Sequence, residues 1–224
     1  MTKDTELGWP AIALFMRQLT HDVRNQLNGL ELELTLASEF VTGGEGAESL
    51  SRTRDQLHHI AAQLRSLSLK FADPSPTLAP IAAAELFLIF KEQAAGVEKL
   101  PPINWSQTLK DELVSVDAGD LANAVRELLL NAREFGSAGI EIRGCAEAGE
   151  VIYQFIEPKP APLDTERWGR APFHSTKRNG YGLGLWLAQR LVEANGGQLT
   201  HEYNPAAKQL VTTLTLPFAE ALVK

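Results

Sequence analysis

Apolar residues recur at intervals of three and four through residues 12–41, and this spacing constrains the fold more than any other feature. Such a period predicts a long α-helix with one buried apolar seam. The helix can begin near Trp9, because Pro10 is tolerated in a first turn, and the glycine-rich stretch 42–46 should end it. The seam positions are Ile12, Phe15, Leu19, Val23, Leu27, Leu30, Leu34, Ala37 and Val41.

The same spacing resumes after the glycine-rich stretch and predicts a second helix that ends near Phe71. The short connection makes residues 9–72 an antiparallel helical hairpin. Two helices cannot enclose a seam of this length, so we expect a second copy of the chain to complete a four-helix bundle as a homodimer. The second seam consists of Leu50, Leu57, Ile60, Leu64, Leu67 and Phe71.

His21 stands out on the first helix because it points about 200° away from the seam, at about 100° per residue. Asp22 flanks it and Asn25 lies one turn further along, so the three side chains are neighbours. A solvated imidazole beside a carboxylate is a candidate nucleophile, and the alternative is an ordinary surface histidine. His58 and His59 lie beside the second seam, where we expect them to be solvated or partly packed.

Two prolines within residues 73–76 end the second helix and mark a linker to a second domain over residues 78–220. Helical and strand-like patterns alternate there. We therefore predict an α+β fold, in which the hairpin is followed by an α/β sandwich with helices on one face of a mixed, mostly antiparallel sheet. The predicted helices cover residues 81–93, 121–135 and 183–194, and the predicted strands cover residues 103–107, 112–116, 140–145, 151–156, 199–203 and 210–216.

Composition argues against several classes of function. The net charge of −7 disfavours a nucleic-acid or anionic-membrane surface. The single cysteine, Cys145, excludes an internal disulfide and fits a reducing compartment. The first ten residues lack the apolar run of a signal peptide, and no segment approaches the roughly 20 apolar residues of a membrane span. We therefore expect a cytoplasmic protein with no nucleic-acid or membrane partner.

A glycine-rich stretch at the predicted start of the last helix is a candidate anion site. Gly180, Gly182 and Gly184 alternate with other residues just before Leu185. Backbone N–H groups and the helix dipole favour a phosphate at such a place, and Lys177 adds a cation within reach. A simple turn is the alternative interpretation, because this spacing alone is weakly specific.

Glu127 and Asn131 form a second candidate site on the predicted helix 121–135. They are four residues apart and therefore lie on one face of that helix. Both carry the oxygen atoms that suit a hard cation such as Mg²⁺. The pair is equally compatible with an exposed polar face, so its interpretation depends on the motifs that accompany it.

Three motifs in this order resemble a known family. His-Asp-x-x-Asn on a helical hairpin is followed by Glu-Leu-Leu-x-Asn-Ala, and then by Pro-Phe-x-Ser-Thr-Lys with Gly-x-Gly-Leu-Gly-Leu. The combination resembles the catalytic core of two-component sensor histidine kinases over residues 10–218. The resemblance implies a dimerisation and histidine-phosphotransfer hairpin joined to a Bergerat-type ATP-binding domain.

The resemblance implies a role for each residue of the hairpin motif. His21 matches the phospho-accepting histidine, and Asp22 matches the acidic neighbour that takes the proton from one ring nitrogen while the other attacks the γ-phosphorus. Asn25 matches the position that, in related kinases, orients water to dephosphorylate an aspartyl phosphate on the partner protein. The chemistry agrees, because a carboxylate that fixes the tautomer helps neutral imidazole to attack.

In the second domain the resemblance implies ATP and Mg²⁺ as ligands. Asn131 matches the Mg²⁺-binding asparagine, and Glu127 occupies the place of another frequent asparagine. The three alternating glycines match the glycine box that follows the flexible lid over ATP, and Lys177 lies in that lid.

One motif departs from the family's pattern. Where the family has Asp-x-Gly-x-Gly, with the aspartate holding the adenine amino group, this chain has Glu157-Pro158-Lys159-Pro160-Ala161. The acid is one methylene longer, both glycines are absent, and two prolines stiffen the turn. Glu157 can still accept a hydrogen bond from adenine, but in a tighter pocket.

Two functions follow from the resemblance. The first is a histidine autokinase that uses ATP and Mg²⁺ to phosphorylate His21 and passes the phosphate to the receiver aspartate of a response regulator, with phosphatase activity as an addition. The alternative is an ATP-independent histidine phosphotransferase, or pseudokinase, in a phosphorelay. A protein-serine kinase is a third option that the His21–Asp22 pair disfavours. We expect the input signal to come from an unknown sensor or other input protein.

Overall fold

The structure of the chain is a computed structural model that describes residues 8–41, 43–134, 138–175 and 181–219. The chain divides into two compact units, Met1–Asp73 and Pro74–Lys224. The first unit consists of two long helices, and the second contains the sheets. Within the described ranges, no helix is both long enough and apolar enough to cross a membrane.

The first unit is a pair of helices, α1 (Trp9–Phe40) and α2 (Gly44–Phe71). α1 ends before Gly43, whose φ of +84° is reached readily only by glycine. Trp9 at the start of α1 stacks on Phe71 at the end of α2, with ring centroids 5.4 Å apart. This contact joins opposite ends of the two helices, so the hairpin is antiparallel as predicted.

The predicted seam of α1 is only partly buried within one chain. Leu27 is buried, whereas Phe15 and Leu30 are 64% and 48% exposed. The surface of α1 that meets α2 is centred instead on Ala13, Thr20 and Leu27. The predicted seam runs along the edge of that surface, and α2 can cover only one side of α1. This partial burial agrees with the expectation that two helices cannot enclose the seam, and its burial by a second copy stays a prediction.

Among the described residues, the second unit contains three helices and seven strands. All three helices and six of the strands correspond to predicted elements, and α3 begins two residues later than predicted. In chain order the elements are β1 (Ala79–Ala82), α3 (Ala83–Ala95), β2 (Ile103–Gln107), β3 (Leu113–Val116), α4 (Ala118–Glu134), β4 (Ile140–Glu147), β5 (Glu150–Pro158), α5 (Gly184–Ala194), β6 (Gln198–Asn204) and β7 (Gln209–Pro217).

Strand β1 is the element that the sequence pattern did not predict. Ile81 and Ala82 were expected to begin a helix, but they pair antiparallel with Val114 and Leu113 of β3. The two strands form a small sheet of their own in the described part of the chain. Because the partner strand lies about thirty residues away, local periodicity carries little information about this pairing.

The larger sheet has five strands in the order β2-β4-β5-β7-β6. β2 pairs parallel with β4, and the remaining neighbours are antiparallel. Burial alternates along β5, where Val151, Tyr153 and Phe155 point into the core. The buried faces of α3, α4 and α5 belong to the same core. This arrangement confirms the predicted α+β fold, with helices on one face of a mixed, mostly antiparallel sheet.

Tyr153 links the sheet to the helices at the centre of this core. Its side chain is fully buried, and its hydroxyl donates a 2.8 Å hydrogen bond to the Ala83 carbonyl at the start of α3. Burial raises the pKa of the Tyr153 hydroxyl, which therefore stays protonated as a donor. The Phe87 and Phe90 rings pack against the Tyr153 ring.

Tyr153→Phe should lower the free energy of unfolding by about 0.5–1.5 kcal/mol, because a buried hydrogen bond to the Ala83 carbonyl is lost while the ring packing is kept. Denaturant unfolding monitored by circular dichroism would measure the change. Tyr181→Phe is the matched control, because Tyr181 is 71% exposed and its change should stay within about 0.5 kcal/mol. Equal stability of the two variants would contradict a structural role for this hydrogen bond.

Candidate functional site

His21 lies on an exposed part of α1, with 62% of its side chain accessible. Its Nδ1 atom is 3.2 Å from Asp22 Oδ1 and 3.4 Å from Asn25 Nδ2. The three predicted hairpin residues are therefore together, and both neighbours approach the same ring nitrogen. The second ring nitrogen, Nε2, is the one left to react when Asp22 holds Nδ1–H.

The Asp22 carboxylate has a second donor that the sequence motif does not include. Gln18 Nε2 donates a 2.9 Å hydrogen bond to the same oxygen, Oδ1. Hydrogen bonds from His21 and Gln18 hold the pKa of the Asp22 carboxyl below its usual range. Asp22 is therefore ionised beside the imidazole at neutral pH.

The residue before His21, Thr20, faces into the hairpin. Thr20 is 2% exposed, and its Oγ1 accepts a 2.8 Å hydrogen bond from Ser68 Oγ on α2. The same hydroxyl donates within α1, 2.8 Å from the Met16 carbonyl. Since adjacent helical residues differ by about 100° in direction, the burial of Thr20 sets the outward direction of His21.

The other two histidines of the hairpin are exposed and have polar neighbours. His58 Nε2 lies 3.3 Å from Glu31 Oε2, and His59 Nε2 lies 2.9 Å from Gln63 Nε2. Neither of them has a carboxylate on the adjacent residue, as His21 has. The expectation that both are solvated or partly packed is confirmed.

Gly182 and Gly184 lie where other chain segments approach closely. A Cβ atom on Gly182, which has a φ of +64°, would lie 2.6–2.7 Å from backbone atoms of His174. A Cβ atom on Gly184 would lie 2.7 Å from Glu127 Oε2. Two predicted site residues, Glu127 and Gly184, are thus in contact. Lys177 and Gly180 lie outside the described residues.

Glu127 and Asn131 lie on α4 as predicted, but they are not an exposed polar face. Glu127 is 8% exposed and Asn131 is half-buried. The Glu127 carboxylate reaches the first residue of α5, where the helix dipole favours negative charge. The sequence around Leu183 provides no side-chain cap for α5 within the described part of the chain. These oxygen atoms and the start of α5 together form a site that could accept a cation and an anion.

Glu157, the predicted adenine acceptor, is paired with Lys159. The Lys159 ammonium lies 3.0 Å from Glu157 Oε2, and both side chains are about one-tenth exposed. Residues two apart on an extended segment point to the same side, which explains how they meet. The Lys159 ammonium therefore lies beside the Glu157 carboxylate, which occupies the position of the adenine-binding aspartate in the family's pattern.

The backbone of Lys159 is fixed by the β6–β7 hairpin. Its N–H donates a 2.8 Å hydrogen bond to the Lys208 carbonyl, and its carbonyl accepts one from the Tyr203 hydroxyl at 3.2 Å. Further along, the Thr165 hydroxyl donates a 2.8 Å hydrogen bond to the His201 carbonyl. The segment that follows β5 is therefore attached to β6 and to the turn between β6 and β7.

The described structure divides the predicted residues into three groups. His21, Asp22 and Asn25 meet on α1, Glu127 meets Gly184, and Glu157 meets a residue that was not predicted. Gln18 also belongs to the His21 group and was not predicted from the sequence. Its position four residues before Asp22 was a usable signal, because amide and carboxylate side chains at that spacing form hydrogen bonds on helices.

The relatives found by sequence comparison are sensor proteins. The chain is 26% identical over 208 residues to sensor histidine kinase ZraS of Klebsiella oxytoca, covering 87% of this chain and 44% of ZraS. It is 24% identical over 220 residues to sensor protein TorS of Escherichia coli strain K12, covering 90% of this chain and 24% of TorS. The chain thus spans less than half the length of these relatives. No family model matches it.

Solved structures of histidine kinases share the fold. Full-length ShkA in complex with AMPPNP superposes with a TM-score of 0.66 at 22% identity, covering 92% of this chain and 46% of ShkA. The mycobacterial sensor histidine kinase MprB gives a TM-score of 0.52 at 20% identity, covering 65% of this chain and 100% of that structure. Together with the sequence matches, this fold confirms the resemblance to a histidine kinase catalytic core.

Lys159→Met should lower the free energy of unfolding by about 3–5 kcal/mol, because it leaves the Glu157 carboxylate buried without its cation. The double variant Glu157→Gln/Lys159→Met should recover at least about 2 kcal/mol of that loss, since it removes both charges. Urea denaturation of the two single variants and the double variant would measure this coupling.

Lys91→Met is the control for the Lys159 cycle, because Lys91 is exposed on α3 and its loss should cost less than about 0.5 kcal/mol. Strictly additive costs of Glu157→Gln and Lys159→Met would show that the two side chains do not depend on each other.

Proposed function

We propose that this chain is the catalytic core of a histidine autokinase, in which ATP and Mg²⁺ phosphorylate His21. The observation that carries the proposal is the geometry at His21, where the Asp22 carboxylate lies 3.2 Å from Nδ1 on an exposed helix face. A carboxylate there favours the tautomer with the proton on Nδ1 and the lone pair on Nε2. The sequence matches to sensor histidine kinases support the same assignment.

In the proposed reaction, Nε2 of His21 attacks the γ-phosphorus of ATP. The N–P bond forms as the bond from the γ-phosphorus to the bridging oxygen breaks, and ADP leaves. The ring becomes positively charged as the bond forms, and the ionised Asp22 carboxylate stabilises that charge through Nδ1–H. The Nδ1 proton then passes to Asp22 or to water, which returns the phosphorylated ring to the neutral state.

The second unit would bind the nucleotide. Asn131 and Glu127 offer oxygen atoms to Mg²⁺, and the N-terminal turn of α5 after Gly182 and Gly184 offers N–H groups to the phosphates. The contact between Gly184 and Glu127 supports this part of the proposal, because it joins the metal-binding and phosphate-binding residues. Lys177 and Gly180 are assigned to the phosphates from the resemblance alone.

The phosphoryl group on His21 would then pass to the aspartate of a response-regulator receiver domain. The carboxylate of that aspartate attacks the phosphorus, and the bond to Nε2 breaks. Asn25 Nδ2 lies 3.4 Å from His21 Nδ1. In this position its amide could orient a water molecule that hydrolyses the aspartyl phosphate of the receiver. An unidentified sensor or input protein would control the balance between phosphorylation and dephosphorylation of the receiver.

The hairpin would act as a homodimer. Large apolar side chains on α1, including Phe15 at 64%, Leu30 at 48% and Phe40 at 84%, are exposed in the single chain. Exposed apolar surface of this extent is typical of helices that pack against another copy. A four-helix bundle would cover these side chains while leaving His21 in water.

Incubation with γ-labelled ATP and Mg²⁺ should give an acid-labile label on the protein. His21→Ala should abolish the label, because the nucleophile is gone, and Asp22→Asn should slow labelling by about 100-fold through loss of the carboxylate at Nδ1. His59→Ala is the matched control, since His59 is an exposed histidine of the same hairpin. A folded protein that binds ATP but stays unlabelled would contradict the autokinase.

The buried Glu157–Lys159 pair favours a second candidate function, an ATP-independent phosphotransferase. The Lys159 ammonium neutralises the carboxylate that would otherwise accept from adenine. In this alternative, His21 takes its phosphate from a phosphorylated receiver and passes it on. Calorimetry without detectable ATP binding, together with transfer of label from a phosphorylated receiver to His21, would select this function over the autokinase.

Phe15→Asp/Leu30→Asp should convert the dimer to a monomer. Each substitution places a charge in the apolar surface of both copies, and each buried side chain of this size contributes about 1.5–3 kcal/mol. The dissociation constant should therefore rise at least about 100-fold, which multi-angle light scattering at micromolar concentration would detect. Leu88→Asp, on an exposed position of α3, should leave the mass unchanged. A monomer mass for the unaltered chain would contradict the proposal.

A further inference from the structure

Four polar side chains follow one another along the outer face of α1. Gln18 donates to Asp22 Oδ1 at 2.9 Å, the same oxygen lies 3.2 Å from His21 Nδ1, and Asn25 Nδ2 lies 3.4 Å from that nitrogen. Gln18 and Asp22 are one helical turn apart, as are His21 and Asn25. The four groups therefore form a continuous chain of contacts in which the imidazole lies between Asp22 and Asn25.

Asp22 and Asn25 make opposite demands on the imidazole. A carboxylate can only accept, so Asp22 requires a proton on Nδ1, whereas an amide N–H can only donate, so the Asn25 amide requires a lone pair there. Neutral imidazole carries one proton, and its position is decided by the stronger of the two contacts. Only the tautomer that Asp22 selects leaves the lone pair on Nε2.

We propose that Gln18 is a positioning residue for His21, which holds the Asp22 carboxylate against Nδ1 and so selects the tautomer that reacts through Nε2. The effect of Gln18 on phosphorylation rests on the proposed function, whereas the effect of Gln18 on the His21 tautomer does not. Gln18 touches neither the ring nor a phosphate donor, and it acts through the Asp22 rotamer.

Burial cannot hold the Asp22 side chain in place, since 55% of it is exposed. An exposed side chain explores several rotamers unless a hydrogen bond selects one. The described contacts of its carboxylate are those with His21 and Gln18. Loss of the Gln18 donor should therefore allow the Asp22 carboxylate to leave Nδ1. The Asn25 amide would then donate to Nδ1 more often and favour the tautomer with the proton on Nε2.

The tautomer can be measured directly from the nitrogen chemical shifts of the His21 ring, in the full chain labelled with ¹⁵N-histidine. The spectra are recorded at about pH 8.5, above the ordinary imidazole pKa of about 6.5, to observe the tautomers of the neutral ring. Gln18→Leu should lower the ratio of Nδ1–H to Nε2–H tautomer about twofold, the effect expected for one amide–carboxylate pair at this helical spacing. Gln18→Glu should lower it further, about fourfold, because two carboxylates repel each other.

Two further variants separate this role from a general effect on the helix. Gln56→Glu makes the same chemical change as Gln18→Glu at an exposed position of α2 and should leave the ratio unchanged. Asn25→Ala removes the competing donor and should raise the ratio, opposite in sign to Gln18→Leu. A structural role for Gln18 would not predict these opposite shifts.

Phosphorylation of His21, from either phosphate donor, should slow in proportion to the tautomer ratio in the Gln18 variants. An unchanged tautomer ratio in Gln18→Leu and Gln18→Glu would overturn the proposal, whatever happens to the rate. A ratio that shifts as expected in a protein that ATP and receivers fail to label would support the role of Gln18 and refute the proposed function. The two failures are thus distinguishable.

Discussion

The direction in which His21 points depends on the face that α1 turns towards α2. Thr20 is the polar member of that face, and its hydroxyl accepts from Ser68 while donating to a carbonyl of its own helix. Because buried hydroxyls are costly without partners, this pair fixes the rotation of α1 about its axis. The neighbouring His21 then lies outside the contact with α2, with 62% of its side chain accessible. A rotation that carried His21 into the place of Thr20 would bury the imidazole and remove it from any phosphate donor.

The two units place different demands on the same proposed reaction. The hairpin keeps His21 exposed and orients it with groups from α1 alone. The geometry around His21 therefore does not depend on the sequence of the second unit. The second unit needs several buried groups at once, and Lys159 changes one of them. Separating a buried ion pair is costly, because each charge would stay buried without its partner. Nucleotide binding must therefore either use the Glu157–Lys159 pair as it stands or disrupt it, and this choice separates the two candidate functions.

Much of the fold and half of the site could be predicted from the sequence, for reasons that concern particular residues. The period of three and four defined α1, α2, α4 and α5, and adjacency in the chain placed Asp22 and Asn25 beside His21. Strand β1 was missed because its partner, β3, is remote in sequence. Periodicity located the apolar residues of α1, but it does not tell which of them α2 covers within one chain, namely Ala13 and Leu27 beside Thr20. Lys159 was read only as the loss of a glycine, although its spacing from Glu157 allowed a pair.

The glycine box shows how packing and ligand binding can require the same residue. The sequence explains Gly182 and Gly184 by the approach of phosphates, whereas the structure gives each a neighbour within the chain, the His174 backbone and the Glu127 carboxylate. At Gly182 the positive φ and the backbone contact exclude a side chain whether or not a nucleotide binds. At Gly184 the neighbour is the flexible end of a glutamate that could also bind a metal ion. Retained glycines at these positions are therefore compatible with both candidate functions, and the state of Glu157 and Lys159 is the feature that discriminates between them.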